Sequence, residues 1–291
     1  MRHARFLLAA ALSSTLLTVV SGAGAVAHAA ATPTLSACKT LVSSEEYHSG
    51  TLTVATDSPG YTPWFVNNKP SNGQGYESAV VYAIAAKLGI AKSAVKWTVE
   101  PFDSSYIPGP KKFDFDINEI SYTADRAKAV TFSVSYYDVN QSIVTLKTDP
   151  IVTKHTPAEL KTYLYGDQIG TTGLAYIDNY IKPTRAPRVF STLADAVLAL
   201  QTKQIDAIII DTPTGQYMAS SQIVNSKQKV IGAQPGQFPT VGEHYGLLFQ
   251  KGNKLATCVN VAIDALKASG QLKALQTKWL GIYNSVPTLK P

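Results

Sequence analysis

Histidine is scarce in this chain, and the five present (3, 28, 48, 155 and 244) fall at no metal-ligand spacing. The sequence holds no Gly-x-Ser-x-Gly elbow for a nucleophile and no P-loop for a phosphate. Charged residues are only 16%, and no Lys/Arg run exceeds the pair Lys111-Lys112. The formal charge of +6 therefore forms no basic stripe, and no nucleic-acid partner is expected. After residue 30 no apolar run is long enough to span a membrane. On these grounds no metal, no cofactor and no catalytic residue are expected.

What is present begins with an export signal. Arg2 and Arg5 precede an apolar run from Phe6 to Val20, and small residues lead to Ala27-His28-Ala29. Residues 1–30 read as a secretory signal peptide. Its two arginines leave with it, so the formal charge falls to +4, from 24 Lys+Arg against 20 Asp+Glu. The mature chain is expected outside the cell membrane, secreted or tethered. Cys38 and Cys258 are the two cysteines, and two in an exported chain suit one disulfide. Leu35-Ser36-Ala37-Cys38 also matches a lipobox, so a lipidated Cys38 is the competing reading.

Residues 31–49 are small and polar and read as a linker. Thr51–Thr56 alternates with period two and reads as a strand, followed by the Asp57–Tyr61 loop. Glu77–Leu88 reads as a helix with Val80, Val81, Ile84 and Leu88 on one face, ended by Gly89. Val95–Val99 is a strand before Pro101-Phe102-Asp103, and Phe113–Ile117 is the next. Further strands are expected at Tyr163–Gln168, Arg188–Phe190, Ile205–Ile210, Lys229–Ile231 and Tyr245–Gln250. Helices are expected near Tyr176–Ile181, over Leu193–Leu200, after Thr212-Pro213, and over Lys254–Trp279 with a break at Gly270. The alternation predicts an α/β fold with largely parallel sheets. No internal repeat is visible.

Thr123 is placed to cap a helix from Ala124, which puts Arg126 in its first turn. A cation there opposes the helix dipole and adds to the free N–H groups. The arrangement becomes favourable with a carboxylate bound, since Arg bonds both oxygens at once. The competing reading is a solvated surface arginine.

In α/β sheets, ligands bind beyond the carboxyl ends of strands. Asp57, Tyr61, Phe102, Ser121, Arg126, Thr171, Thr172 and Asp211 all fall there. The set suits a zwitterion. Arg126, Ser121 and the Thr171/Thr172 helix start meet a carboxylate, Asp211 meets an ammonium, and Tyr61 and Phe102 cover an apolar stem. Each has a structural alternative. Asp211, Thr171 and Thr172 also read as helix caps, Ser121 as a turn residue, and Tyr61 and Phe102 as packing.

The run Lys112-Phe113-Asp114, Ile120-Ser121-Tyr122-Thr123, Asp125-Arg126, Phe132-Ser133 and Tyr136-Tyr137 resembles the most recognisable segment of the family 3 solute-binding proteins of amino-acid ABC importers. The resemblance covers roughly residues 50–282. It implies a two-lobed type II periplasmic-binding fold with the ligand cleft between lobes. Lobe 1 would be 50–140 with 246–285, and lobe 2 141–245. The chain would cross near Asp138–Thr145 and return near Val241–Leu247, which places Cys258 in the lobe of Cys38. The resemblance implies Arg126 on the ligand carboxylate, Ser121 on the ligand backbone, Gly170-Thr171-Thr172 as the second-lobe motif, and Asp211 on the α-amino group. The expected ligand is a polar or charged amino acid, glutamine- or glutamate-like or basic, carried by a monomer to an ABC permease. A dehydratase of the same fold, or a sensor, is the alternative.

Two positions depart from the family pattern. Glu119 stands where many members carry a small hydroxyl residue, and Ala79 where many carry a carboxylate. Glu119 facing the cleft with Asp57 would favour an amide or a cation on the ligand side chain. A register shift of one residue would turn it to the surface. Glu77 is expected to support the first helix through its dipole.

Overall fold

The computed structural model describes residues 32–283 and 286–289, so the signal-peptide segment lies outside the described residues. Helix α1 (Leu35–Glu45) replaces the expected linker. Thr34 caps it by accepting from the Ala37 N–H at 3.2 Å. Its small polar residues hide a short apolar stripe, since Cys38 and Val42 are both buried. The Cys38 sulfur is bonded to that of Cys258, with the Cα atoms 5.2 Å apart. A thioether-linked lipid on that sulfur is incompatible with this bond, which corrects the lipidation reading.

Strand β1 (Leu52–Thr56) is buried along its whole length, as expected of a strand covered on both faces. Helix α2 (Tyr76–Lys87) and strand β2 (Val95–Val99) follow as predicted. Next come α3 (Phe102–Ser105), β3 (Phe115–Asp116), α4 (Ala124–Ala129), β4 (Thr131–Phe132) and β5 (Tyr137–Asp138).

The chain then forms β6 (Gln141–Leu146), α5 (Pro157–Leu160), β7 (Gly166–Gln168), α6 (Thr172–Tyr176), β8 (Arg188–Phe190), α7 (Leu193–Gln201), β9 (Ala207–Asp211), α8 (Thr212–Tyr217) and β10 (Gly232–Phe238). The expected Lys229–Ile231 strand is reduced to a bridge between Val224 and Val230. The true strand, β10, carries two glycines and Pro235. It tolerates them because its register shifts between Ala233 and Gly236 and it lies at a sheet edge. The expected Tyr245–Gln250 strand divides into β11 (His244–Tyr245) and β12 (Leu248–Phe249). Helices α9 (Leu255–Ala268) and α10 (Gln271–Leu280) follow, separated by Gly270 at φ +73°.

One sheet has the order β2-β1-β3-β12-β4, with β1 parallel to β2 and β3 and β12 antiparallel to its neighbours. The other has the order β10-β6-β9 and is antiparallel throughout. The expectation of largely parallel sheets therefore holds for β1, β2 and β3 and for the pair β7-β8, and fails at β12 and around β6. That strand enters straight from the first half, not through a βα crossover, so it runs against the strands beside it. Strands β5 and β11, where the chain leaves and re-enters the first half, pair with each other. Both sheets lie in one compact unit beginning at Pro33. The first half packs on a cluster that includes Trp64, Phe115 and Val259, and the second on two clusters flanking its sheet.

Candidate functional site

A cavity of about 490 Å³ opens between the two halves. All nine sequence-predicted residues line it. From the first half come Asp57, Tyr61, Phe102, Glu119, Ser121 and Arg126. From the second come Thr171, Thr172 and Asp211. Most sit just beyond strand ends, where loops are free to carry function.

Arg126 is buried, not solvated. Thr123 caps α4 by accepting from the Arg126 N–H at 3.1 Å. The guanidinium donates to the Ser121 carbonyl at 2.6 Å and to the Gly170 carbonyl at 2.8 Å. The second bond crosses from one half to the other. Tyr106 and Phe102 lie over the guanidinium at 4.8 and 5.3 Å, so Phe102 covers the cation and not only a ligand stem. Burial lowers the pKa of Arg126, while Tyr106, Asp211 and Glu243 hold it up. Gly170 needs to be glycine: at φ +74°, a Cβ would lie 2.2 Å from the Tyr106 hydroxyl.

Asp211 occupies the cap position of α8, yet its side chain makes no cap bond. Its Oδ1 accepts from Gln141 Nε2 at 2.6 Å. Burial pushes its carboxyl up to about 7, with Glu243 adding to the rise and Tyr245, Gln141 and Arg126 opposing it. Thr171 does cap α6, accepting from the Leu174 N–H at 3.1 Å, and the Thr172 hydroxyl accepts from Gln141 at 3.2 Å. Ser121 donates to Glu243 at 3.0 Å.

Glu119 lies past the end of β3 in a left-handed turn, at φ +53°. This turn, not strand alternation, aims its side chain into the cavity. Its N–H donates to Glu77 Oε1 at 2.7 Å, and its Oε2 accepts from the Thr214 hydroxyl. Burial raises its carboxyl well above the usual range, as do Glu77 and Asp211, against Thr214 and Trp64. Glu77 does more than meet a helix dipole: it is fully buried and anchors the Glu119 turn. Asp57 is raised by burial and accepts from the N–H groups of Ser58 and Phe102. Tyr61 packs against the second half's core, and its hydroxyl is raised by burial and by the nearby Glu119 and Asp57.

The sequence reading missed several cavity residues. Asp167 is buried in the middle of β7, and its Oδ2 has no hydrogen-bond partner. Gly173 makes room for it, since a Cβ there would lie 2.7 Å from that oxygen. Asp167 and Gln168 lie inside β7 and so escape the strand-end rule that found Thr171. Gln141 escapes the rule because it opens its strand. Thr214 lies one helical turn beyond Asp211 and announces itself only through its partners.

The family model for bacterial extracellular solute-binding proteins, family 3, matches residues 52–282. The chain belongs to this family. The L-arginine-binding protein of Pseudomonas aeruginosa is 25% identical over 246 residues, covering 80% of this chain and 93% of its own. The probable histidine-binding protein of Campylobacter jejuni is 30% identical over 238 residues, covering 79% and 84%. An ancestral arginine-binding protein bound to arginine superposes with a TM-score of 0.66 at 25% identity, covering 80% of this chain and 99% of that one. The type II periplasmic-binding fold implied by the sequence is thus the observed one. These relatives of the solute-binding protein are themselves named as binding proteins. Among its described residues no helix is long and apolar enough to cross a membrane.

Proposed function

We propose that this solute-binding protein captures a free cationic amino acid between two lobes, 50–140 with 246–285 and 141–245, and presents it to an ABC permease. The observation that carries the cationic class is the excess of carboxyl groups over basic groups in the cavity lining. Asp57, Asp103, Glu119, Asp167 and Asp211 line it against a single base, Arg126. A zwitterion uses one charge of each sign: its carboxylate takes Arg126 and its ammonium takes Asp211. Around Tyr61 the carboxyls of Asp57 and Glu119 meet, both raised by burial, and a second positive group on the ligand would favour their ionised form. The names of the arginine- and histidine-binding relatives agree with this class.

The mechanism is a hinge at the paired strands β5 and β11. The ligand docks on Arg126 and Ser121, and closure adds Thr171, Thr172 and Asp211. Contacts made only in the closed state let the ligand shift that equilibrium. Calorimetry with arginine, lysine, histidine and glutamine tests the proposal. The cationic ligands are expected to bind more tightly, and a preference for glutamine would reject the class. Mass analysis of the same mixtures tests the dehydratase alternative, which requires product.

A further inference from the structure

A chain of hydrogen bonds joins Trp64, Thr214 and Glu119 across the cleft. The Trp64 indole N–H donates to the Thr214 hydroxyl at 2.6 Å, and that hydroxyl donates to Glu119 Oε2. Trp64 is fully buried and Thr214 is 1% exposed. Indole donates only, so Thr214 accepts from it, and with Glu119 ionised the hydroxyl's one proton goes to Oε2. Oε2 is thereby held as an acceptor in a residue that lines the cavity.

The three residues come from different places. Trp64 belongs to the first half and is wedged among Tyr76, Tyr137 and Tyr245, with ring centroids 5.5 to 6.0 Å away. Thr214 belongs to the first turn of α8, the helix that Asp211 opens. The closing movement that delivers Asp211 to the ligand's ammonium therefore also delivers Thr214 to Glu119. We infer that Thr214 is a positioning residue for Glu119, and that the relay it completes on closure makes Glu119 the group that selects a cationic ligand side chain over an uncharged one of the same shape. This inference rests on the amino-acid-binding reading above.

The test compares arginine with citrulline, its uncharged isostere, by calorimetry on the purified protein. Thr214→Val keeps the shape and removes the hydroxyl. Arginine affinity is expected to fall about tenfold, the scale of a lost hydrogen bond to a charged group, and citrulline affinity by less than about twofold. Thr214→Ser restores the hydroxyl and is expected to recover arginine binding. Equal losses for both ligands, or no recovery with serine, would overturn the relay while leaving the binding function intact. Should the valine variant not fold, Glu119→Gln supplies the test. Its arginine-over-citrulline preference is expected to collapse, and a retained preference overturns the inference. A wild-type protein that binds arginine no better than citrulline overturns the inference and the cationic class together. One that binds no amino acid overturns the functional reading itself.

Discussion

Arg126 is a buried cation whose two hydrogen bonds both go to neutral carbonyls. Its charge is thus free to pair with a ligand carboxylate. Arg126→Ala is expected to weaken amino-acid binding roughly 30-fold or more, the cost of truncating one partner of a desolvated charge pair. Unchanged affinity by calorimetry would remove it from the site. Asp211→Asn is expected to weaken α-amino acids more than their des-amino analogues, and equal losses would sink the ammonium role. The buried carboxyls also make a pH prediction. Asp114 is raised to about 6 by burial, and Asp211 to about 7. Both start from 3.8, so the folded chain holds more protons between roughly pH 4 and 7. The stability of the ligand-free protein should therefore fall as pH rises through that window. Ligand binding should run the other way, because an ammonium needs Asp211 ionised. Thermal midpoints with and without arginine from pH 5 to 8 check both signs.

At the scale of elements, the disulfide ties α1 to α9 across 220 residues of sequence. Removing it with Cys38→Ser is expected to cost about 2–5 kcal/mol, read by denaturant unfolding. An unaltered midpoint would mean that α1 is held by packing alone. Long, periodic elements were legible in the sequence: α2 shows its buried face in Val80, Val81, Ile84 and Leu88, and α9 stops at Gly270. Two elements were not. Helix α1 mixes Ser, Thr, Lys and Glu with scattered apolar residues and buries only Cys38 and Val42, too thin a stripe to reveal a period. Strand β10 contains Pro235, which argues against a strand unless a shifted register and a place at the sheet edge are known in advance. The site was legible where chemistry follows a strand end, as with Arg126 and Asp211. It was hidden where meaning depends on a partner far away in sequence, as with Thr214 against Glu119, 95 residues earlier.

For the whole molecule, the two halves meet through bonds such as Arg126 to Gly170 and Thr214 to Glu119, around a cavity with five carboxylates and one arginine. On the proposal made above, the halves close on a cationic amino acid. Calorimetric titration with arginine, lysine, histidine, glutamine and citrulline, followed by mass analysis of what is recovered, tests it most directly. The account predicts saturable binding, tightest for a cationic amino acid, with the ligand recovered unchanged. No binding, a preference for the uncharged ligands, or a new product would contradict it.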